Sequence, residues 1–385
     1  ETFPASGKFA IPGLWDMHVH GSDNPAHWPV YIANGVVGVR DMFDRESPTE
    51  QREEAAAAPA APEFYLAGPI IDGPPGYWDG SDLAGDAKSA VEIVERQAAA
   101  GYDFVKVYEF LSKEAYVAVL EKASSLGLTA AGHIARSMTL IGASDLGLRS
   151  VEHMDDVAVS CSADEAALRT MDSTDFYESL NQAIQAYATF DRSKCDALAR
   201  QLITNNTWLV PTLAVMEAGA EAEHPSPRAV SYSRYLDTES ADRILADEPL
   251  AEDELRILQD DFDINLELTN FLHAAGAPML AGTDTLNPNV FPGFSLHDEL
   301  KLMVRAGLSE LDALRTATIN PARFLARERD FGNVEAGLAA DIVLLDANPL
   351  DDIRNTTAIF AVVLDGELLT RRELDQLLES NRKLN

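Results

Sequence analysis

Short apolar runs alternate along the chain with longer stretches whose apolar residues recur every three or four positions. The apolar runs predict strands over Ile11–Val19, Val36–Asp41, Glu63–Ile71, Asp103–Tyr108, Thr129–His133, Ser150–His153, Thr207–Pro211 and Pro278–Gly282. The helical period is clearest over Ser89–Ala100, Lys113–Leu126, Arg192–Asn205 and Glu252–Ala275. Strands interleaved with helices in this way predict an α/β protein built on a parallel (β/α)8 barrel. An open doubly wound sheet is the rival, but such sheets usually carry a Gly-rich phosphate loop after the first strand. None follows Val19.

Two stretches interrupt the alternation. Gly68–Gly85, rich in Gly, Pro and Asp, reads as a long loop after the third strand, and Glu217–Pro249 mixes Pro, Glu and short helical pieces after the seventh. Long loops at the C-terminal ends of barrel strands commonly shape the mouth of a site. After Leu325 the pattern changes. The branched apolar runs Asp341–Leu345 and Ile359–Leu364 predict a small β-domain within Asp330–Leu369, followed by a charged helical tail, Arg371–Asn385. The expected division is a barrel over residues 11–328. Residues 1–10 and 329–385 then form a partial, accessory β-sandwich domain with a C-terminal helix.

Composition narrows the function. A hydrophobic fraction of 46% with 24% charged residues excludes a disordered chain. Thirty basic residues face 63 acidic ones, a net charge of −33. That balance argues against nucleic acid, polyanionic substrates and anionic membrane surfaces as partners, and leaves a small molecule. The acidic excess is spread along the chain, which fits either solubility or adaptation to high salt. Cys161 and Cys195 are too few for a disulfide framework, and nothing in their setting chooses one bridge over two free thiols. No run is apolar enough over about 18 residues to span a membrane. No signal peptide is visible, yet the chain begins only ten residues before a strand, so a trimmed or processed start is expected. A periplasmic or secreted location is favoured over the cytoplasm, and homo-oligomer formation is left open.

The informative residues are polar groups at the ends of strands. His18 and His20 lie two apart on one strand, so their side chains share a face roughly 6–7 Å apart and can chelate one ion. Two surface histidines are the plain alternative. Alternation puts Lys106 on one face with Phe104 and Tyr108, in the middle of a barrel strand. A lysine there needs an acidic partner, a depressed pKa or covalent modification. A neutral amine can take up CO2 as a carbamate, which bridges two ions as a carboxylate does. His133, His153 and Asp284 each end an apolar run. Singly, each has an ordinary explanation as a bonded core histidine or a helix cap. Jointly, they and the others converge on one face of a barrel, and imidazole with carboxylate suits zinc and neighbouring transition metals. His27 is a candidate for lining the pocket, whereas His224, His273 and His297 read as structural or solvent-exposed.

The run Gly13–His20, strand residue Lys106, His133, His153 and Gly282-Thr283-Asp284 resemble the amidohydrolase superfamily, in its imidazolonepropionase-like and Xaa-Pro dipeptidase-like branch. Pro292–Leu300, Ala317–Ala322 and Gly337–Asp346 carry the likeness onward, so that it spans about Gly7 to Leu369. The resemblance implies that His18, His20 and Asp284 hold one divalent ion and His133 and His153 a second. Lys106, as a CO2-derived carbamate, bridges them. Zinc is the first expectation, with manganese, cobalt or iron able to use the same donors. Relatives usually begin with several further strands, and often carry a histidine in the loop matching Gly73–Asp79 and another after the strand-eight aspartate. This chain has neither histidine. That weighs against dipeptidase activity while leaving the hydrolytic centre whole.

The chemistry implied is hydrolysis by a metal-bridging hydroxide, with Asp284 as general base and then acid. Tyr108 adds a hydrogen bond or only packing. Arg136 holds a substrate carboxylate or forms a salt bridge on the rim. Tyr77, Trp78 and Phe291 are candidates for an apolar pocket wall. The bond expected is the amide of a dipeptide, N-acyl amino acid or cyclic amide. A carboxylic ester, lactone or phosphotriester is the runner-up at the same binuclear centre. A non-catalytic scaffold is a third reading, but such a scaffold is free to lose ligands and this chain keeps all of them.

Overall fold

In the computed structural model, residues 3–44, 46–171, 176–221, 225–245 and 250–382 are described. The first predicted strand is two strands, β1 (Phe9–Pro12) and β2 (Leu14–Val19), separated at Gly13. A Cβ at Gly13 would meet Val37 Cγ2 at 2.3 Å, so only glycine lets the chain turn there against its neighbour. β3 (Val36–Asp41) and β4 (Glu63–Leu66) follow β2 in a parallel sheet. The stretch read as a long loop after the third strand holds two short strands, β5 (Ile71–Asp72) and β6 (Asp82–Leu83), paired with each other. Then come β7 (Phe104–Val107), β8 (Thr129–Gly132), β9 (Ser150–Glu152) and β10 (Trp208–Val210), in parallel register.

The two parallel sheets close into a barrel through single bridges. Ala67 pairs with Phe104 on one side, and on the other Leu209 pairs with Met279 and Val19 with Thr285, all parallel. The expected eighth strand, Pro278–Gly282, is therefore an extended segment. Its hydrogen bonds from Leu280 N to Leu209 O (2.9 Å) and from Met17 N to Ala281 O (2.9 Å) complete the ring. Every residue of β2, β3 and β7 is buried, polar ones included, as expected where helices cover the outside and side chains fill the inside. The predicted helices are present with small shifts at their ends: Ala87–Ala100, Lys113–Ser125, Arg192–Asn205 and Glu252–Ala274. None of the described helices is long and apolar enough to cross a membrane.

β11 (Ile342–Leu345), β12 (Ile359–Leu364) and β13 (Glu367–Thr370) join β1 in an antiparallel sheet of order β1-β11-β12-β13. The sheet is continuous with the barrel wall through Gly13, whose N–H bonds Asp341 O at 2.8 Å.

Cys161 and Cys195 form a disulfide, a pairing that spacing alone did not select. It ties the end of helix Asp155–Ser160 to helix Arg192–Asn205, closing the excursion between them at its neck. The Ala163 N–H to Thr189 O and Asp191 N–H to Cys161 O bonds, each 2.8 Å, close the same neck. A loop of 34 residues removes enough chain entropy from the unfolded state to stabilise the fold by about 2–4 kcal/mol. The Cys161→Ser, Cys195→Ser double variant is expected to lose that amount in urea unfolding without reductant, and unchanged stability would contradict it.

Candidate metal centre

The polar strand ends meet at one mouth of the barrel. His18 is fully buried at the end of β2, with Nδ1 2.9 Å from Glu152 Oε2. A carboxylate only accepts, so Nδ1 carries the proton and the Nε2 lone pair faces the centre. Nε2 has no hydrogen-bond partner among the described residues, although Asp284 Oδ1 lies 3.4 Å away. His20 Nε2 approaches the same oxygen at 3.1 Å. His18, His20 and Asp284 each present one donor atom, all within 4.8 Å of one another, the only such group of three among the described residues.

His153 completes the approach from the other side, its Nε2 3.9 Å from Asp284 Oδ2. Thr212 Oγ1 donates to Pro211 O and therefore accepts from His153 Nδ1 at 2.7 Å. Strand alternation alone would turn His153 away from Glu152's face, but its φ of 63° swings the ring to the mouth. His133 stands next, its ring centroid 5.0 Å from that of His153. Its Nδ1 lies 3.3 Å from Glu109 Oε1, and its Nε2 is buried without a hydrogen-bond partner among the described residues. Two orphaned Nε2 atoms at the mouth are what metal-ligating histidines leave when their other nitrogen is fixed by an outer acceptor.

Asp284 is placed by the seam where the ring closes. Asp16 accepts from Thr283 N at 3.0 Å and from Thr283 Oγ1 at 2.7 Å, and the Asp284 N–H bonds His18 O at 2.8 Å. A Cβ at Gly282 would meet His18 Cβ at 2.7 Å, so glycine permits this approach. Burial raises the Asp284 carboxyl, but the imidazoles of His18, His20 and His153 outweigh it and hold the group well below the usual carboxylate range. Burial pushes Asp16 up to about 7 despite its bonds to Thr283.

Lys106 is buried inside the barrel, 2% exposed, its Nζ 5.7 Å from the centre of the Tyr108 ring. Burial lowers its pKa and Arg40 adds to that, against the attraction of Asp284 and Glu152. Arg40 is itself sealed in. It bonds Ser150 Oγ at 2.8 Å and both Glu152 oxygens at 2.9 Å, backing the carboxylate that holds His18.

Beside His133 opens a cavity of about 660 Å³ lined by Tyr77, Phe110, Leu111, Glu109, Arg136 and Ser137, among others. Tyr108 packs on His133 with centroids 4.1 Å apart, and Trp78 Nε1 donates to its hydroxyl at 2.9 Å. Trp78 is half exposed beside Tyr77. Arg136 is engaged by Glu109, with Nη2 at 3.0 Å, and lies over the Phe110 ring. Phe291 is not at this wall. It is 1% exposed in a separate apolar cluster with Val30, Leu236 and Leu286.

The remaining histidines are accounted for differently. His27 does not line the cavity: it is fully buried, bonding Gly21 O at 2.8 Å and Ser240 Oγ at 2.9 Å. His297 bridges Thr356 Oγ1 and Asn34 O, and His273 sits partly exposed near Asp312. His224 lies outside the described residues. Pattern reading missed Glu109, Glu152, Arg40 and Thr212. For Glu152 the available signal was parity: with Ser150 it falls on the inward face of a buried strand, where an acid demands a partner.

One further buried acid supports the centre from behind. Glu299 Oε2 accepts the Ala214 N–H at 2.7 Å, capping the helix Leu213–Ala220 that begins just after Thr212. Burial pushes its carboxyl up to about 8.

The model of the amidohydrolase family matches residues 9–369. A bottromycin amidohydrolase structure superposes with a TM-score of 0.78 at 21% identity, over 98% of this chain and 80% of that one. A Xaa-Pro dipeptidase with bound methionine gives 0.66 at 20% identity, over 94% and 87%. The A. niger ochratoxinase gives 0.65 at 19% identity, over 94% and 83%. At these identities the likeness is one of fold. No curated protein sequence matches the chain.

The folded-state value of Glu299 yields a pH prediction. Its carboxyl keeps, up to about 8, a proton that the unfolded chain releases near the ordinary 4.5. Stability contributed by that proton is full below the lower value and is lost as pH rises through the upper one. Thermal unfolding of Glu299→Gln is expected to fall less across this interval than that of the wild type. Parallel pH profiles would contradict this.

Proposed function

The chain belongs to the amidohydrolase family, and on that premise we propose that it is a binuclear metal-dependent hydrolase that cleaves an amide bond in a small substrate. The substrates proposed are dipeptides, N-acyl amino acids and cyclic amides. The observation that carries the reading is the convergence of His18, His20, His133, His153 and Asp284 at one mouth, with Lys106 buried inside the barrel and the Nε2 atoms of His18 and His133 buried and without a hydrogen bond among the described residues.

The donor set fits two divalent ions. His18, His20 and Asp284 would hold one, and His133 and His153 the other. Zinc suits imidazole and carboxylate donors, as do manganese, cobalt and iron. Lys106, lowered by burial, has access to the neutral amine that adds CO2. An N–C bond forms, a proton leaves, and the resulting carboxylate would bridge the two positions. When bound, the ions supply an activated water near neutral pH and polarise the scissile carbonyl.

The protein's own groups then divide the remaining work. Asp284 is placed to take the proton of the attacking water and deliver it to the leaving nitrogen. Tyr108 accepts from Trp78 and so keeps its own O–H to donate toward the substrate. Tyr77 supplies aromatic surface at the wall with Trp78 packed beside it, and Arg136 meets a substrate carboxylate. Phe291, being buried elsewhere, has no part. The Cys161–Cys195 disulfide supports an oxidising compartment, periplasmic or secreted.

The test is amine release from metal-loaded protein across dipeptides, N-acyl amino acids and cyclic amides, with esters and phosphotriesters alongside. Asp284→Asn is expected to lower kcat by about 100- to 10,000-fold. Lys106→Ala and chelation are each expected to abolish turnover, with metal restoring only the chelated wild type. Near-normal turnover in either variant would contradict the mechanism, and esters surpassing every amide would reassign the bond.

A further inference from the structure

We propose that Glu109 is a positioning residue with two clients: it orients His133 toward the second ion and holds Arg136 in the cavity wall for a substrate carboxylate. Retention of that ion and recognition of an anionic substrate with an apolar or aromatic body are thereby coupled. The inference rests on the binuclear reading and adds to it a substrate class and a residue through which site and cavity communicate.

The two Glu109 oxygens are divided between the neighbours. Oε1 lies 3.3 Å from His133 Nδ1, while Oε2 accepts from Arg136 Nη2 at 3.0 Å and Nε at 3.3 Å. With Nδ1 donating to the carboxylate, His133 presents the Nε2 lone pair inward, where that atom is buried and makes no hydrogen bond among the described residues. The backbone reinforces the arrangement. Arg136 N–H bonds Glu109 O at 3.0 Å, and His133 N–H bonds Val107 O at 3.0 Å, so the turn 133–136 is clipped to the end of β7.

The contrast with His18 shows why this contact matters. His18 is held by Glu152, which is sealed from solvent and backed by Arg40, itself fully buried. His153 is held by a neutral hydroxyl. Glu109 keeps 24% of its side chain exposed and lines the 660 Å³ cavity together with Arg136. Of the three outer partners that fix an Nδ1, it is the one in the cavity wall, where a substrate reaches it.

Arg136 is set up to read charge. Glu109 takes its Nε and Nη2, the ring of Phe110 lies 4.7 Å from Cζ, and Nη1 makes no hydrogen bond among the described residues. A guanidinium held over an aromatic ring, with Nη1 left for a ligand, suits a carboxylate, and Phe110, Leu111, Pro75 and Tyr77 suit an apolar body beside it. An N-acyl amino acid, or a dipeptide with its free C-terminus, has both parts.

The experiment uses the full chain and its Glu109→Gln, Glu109→Asp and Arg136→Gln variants. Metal-free protein is titrated with cobalt, reading stoichiometry, affinity and the visible spectrum. KM and kcat are then measured for an N-acyl amino acid and for its neutral carboxamide. Wild type is expected to bind two ions. Glu109→Gln is expected to keep the first, which shows the barrel intact, and to bind the second about 10- to 100-fold more weakly. Its KM should rise for the carboxylate substrate more than for the carboxamide, with Glu109→Asp recovering part of both losses. Arg136→Gln should raise KM for the carboxylate substrate alone and weaken the second ion less. Unchanged second-ion affinity in Glu109→Gln, or equal losses on the two substrates, overturns this inference while two ions in wild type leave the binuclear reading standing. Fewer than two ions in wild type overturns both.

Discussion

The structure depends on the seam where its first and last barrel strands meet. Asp16 reaches from β2 to both the N–H and the hydroxyl of Thr283, and the next residue, Asp284, returns its N–H to His18 O. These bonds close the ring and set the Asp284 carboxylate against His18 and His20 in one step. A fully buried Asp16 costs desolvation, which raises its pKa, and its two bonds to Thr283 offset only part of that cost. Barrel closure and construction of the site are therefore the same interaction.

Behind the seam the donors are held with different firmness. His18 rests on Glu152, Ser150 and Arg40, a charged network shut inside the barrel and shielded from anything bound at the mouth. His153 rests on Thr212, whose turn is in turn held by Glu299 from a neighbouring helix. His133 rests on a carboxylate in the cavity wall. The inner end of the cluster is thus sealed from solvent, whereas its outer end borders the cavity.

Much of this was legible in the chain. Period-two and 3.6-residue patterns located the strands and helices, and polar residues at strand ends marked the mouth, because burying such groups without a purpose is costly. What escaped depends on contacts between distant segments. The break at Gly13 follows from its approach to Val37, and the Cys161–Cys195 pair from two helices meeting. Phe291 falls near Asp284 in sequence, yet the chain after Asn289, whose φ is 59°, carries it into another apolar cluster. Glu109 and Glu152 carry no motif; they become meaningful only once Arg136 and Arg40 are seen beside them. The swing of His153 requires a left-handed backbone that its residue type does not announce.

The measurement that bears most directly on the central claim is a crystal structure of metal-loaded protein with anomalous diffraction at the metal edge. The account predicts two anomalous peaks, one among His18, His20 and Asp284 and one at His133 and His153, with density continuing past Lys106 Nζ as a carbamate. A single peak, or a bare Lys106 amine beside two ions, would contradict it.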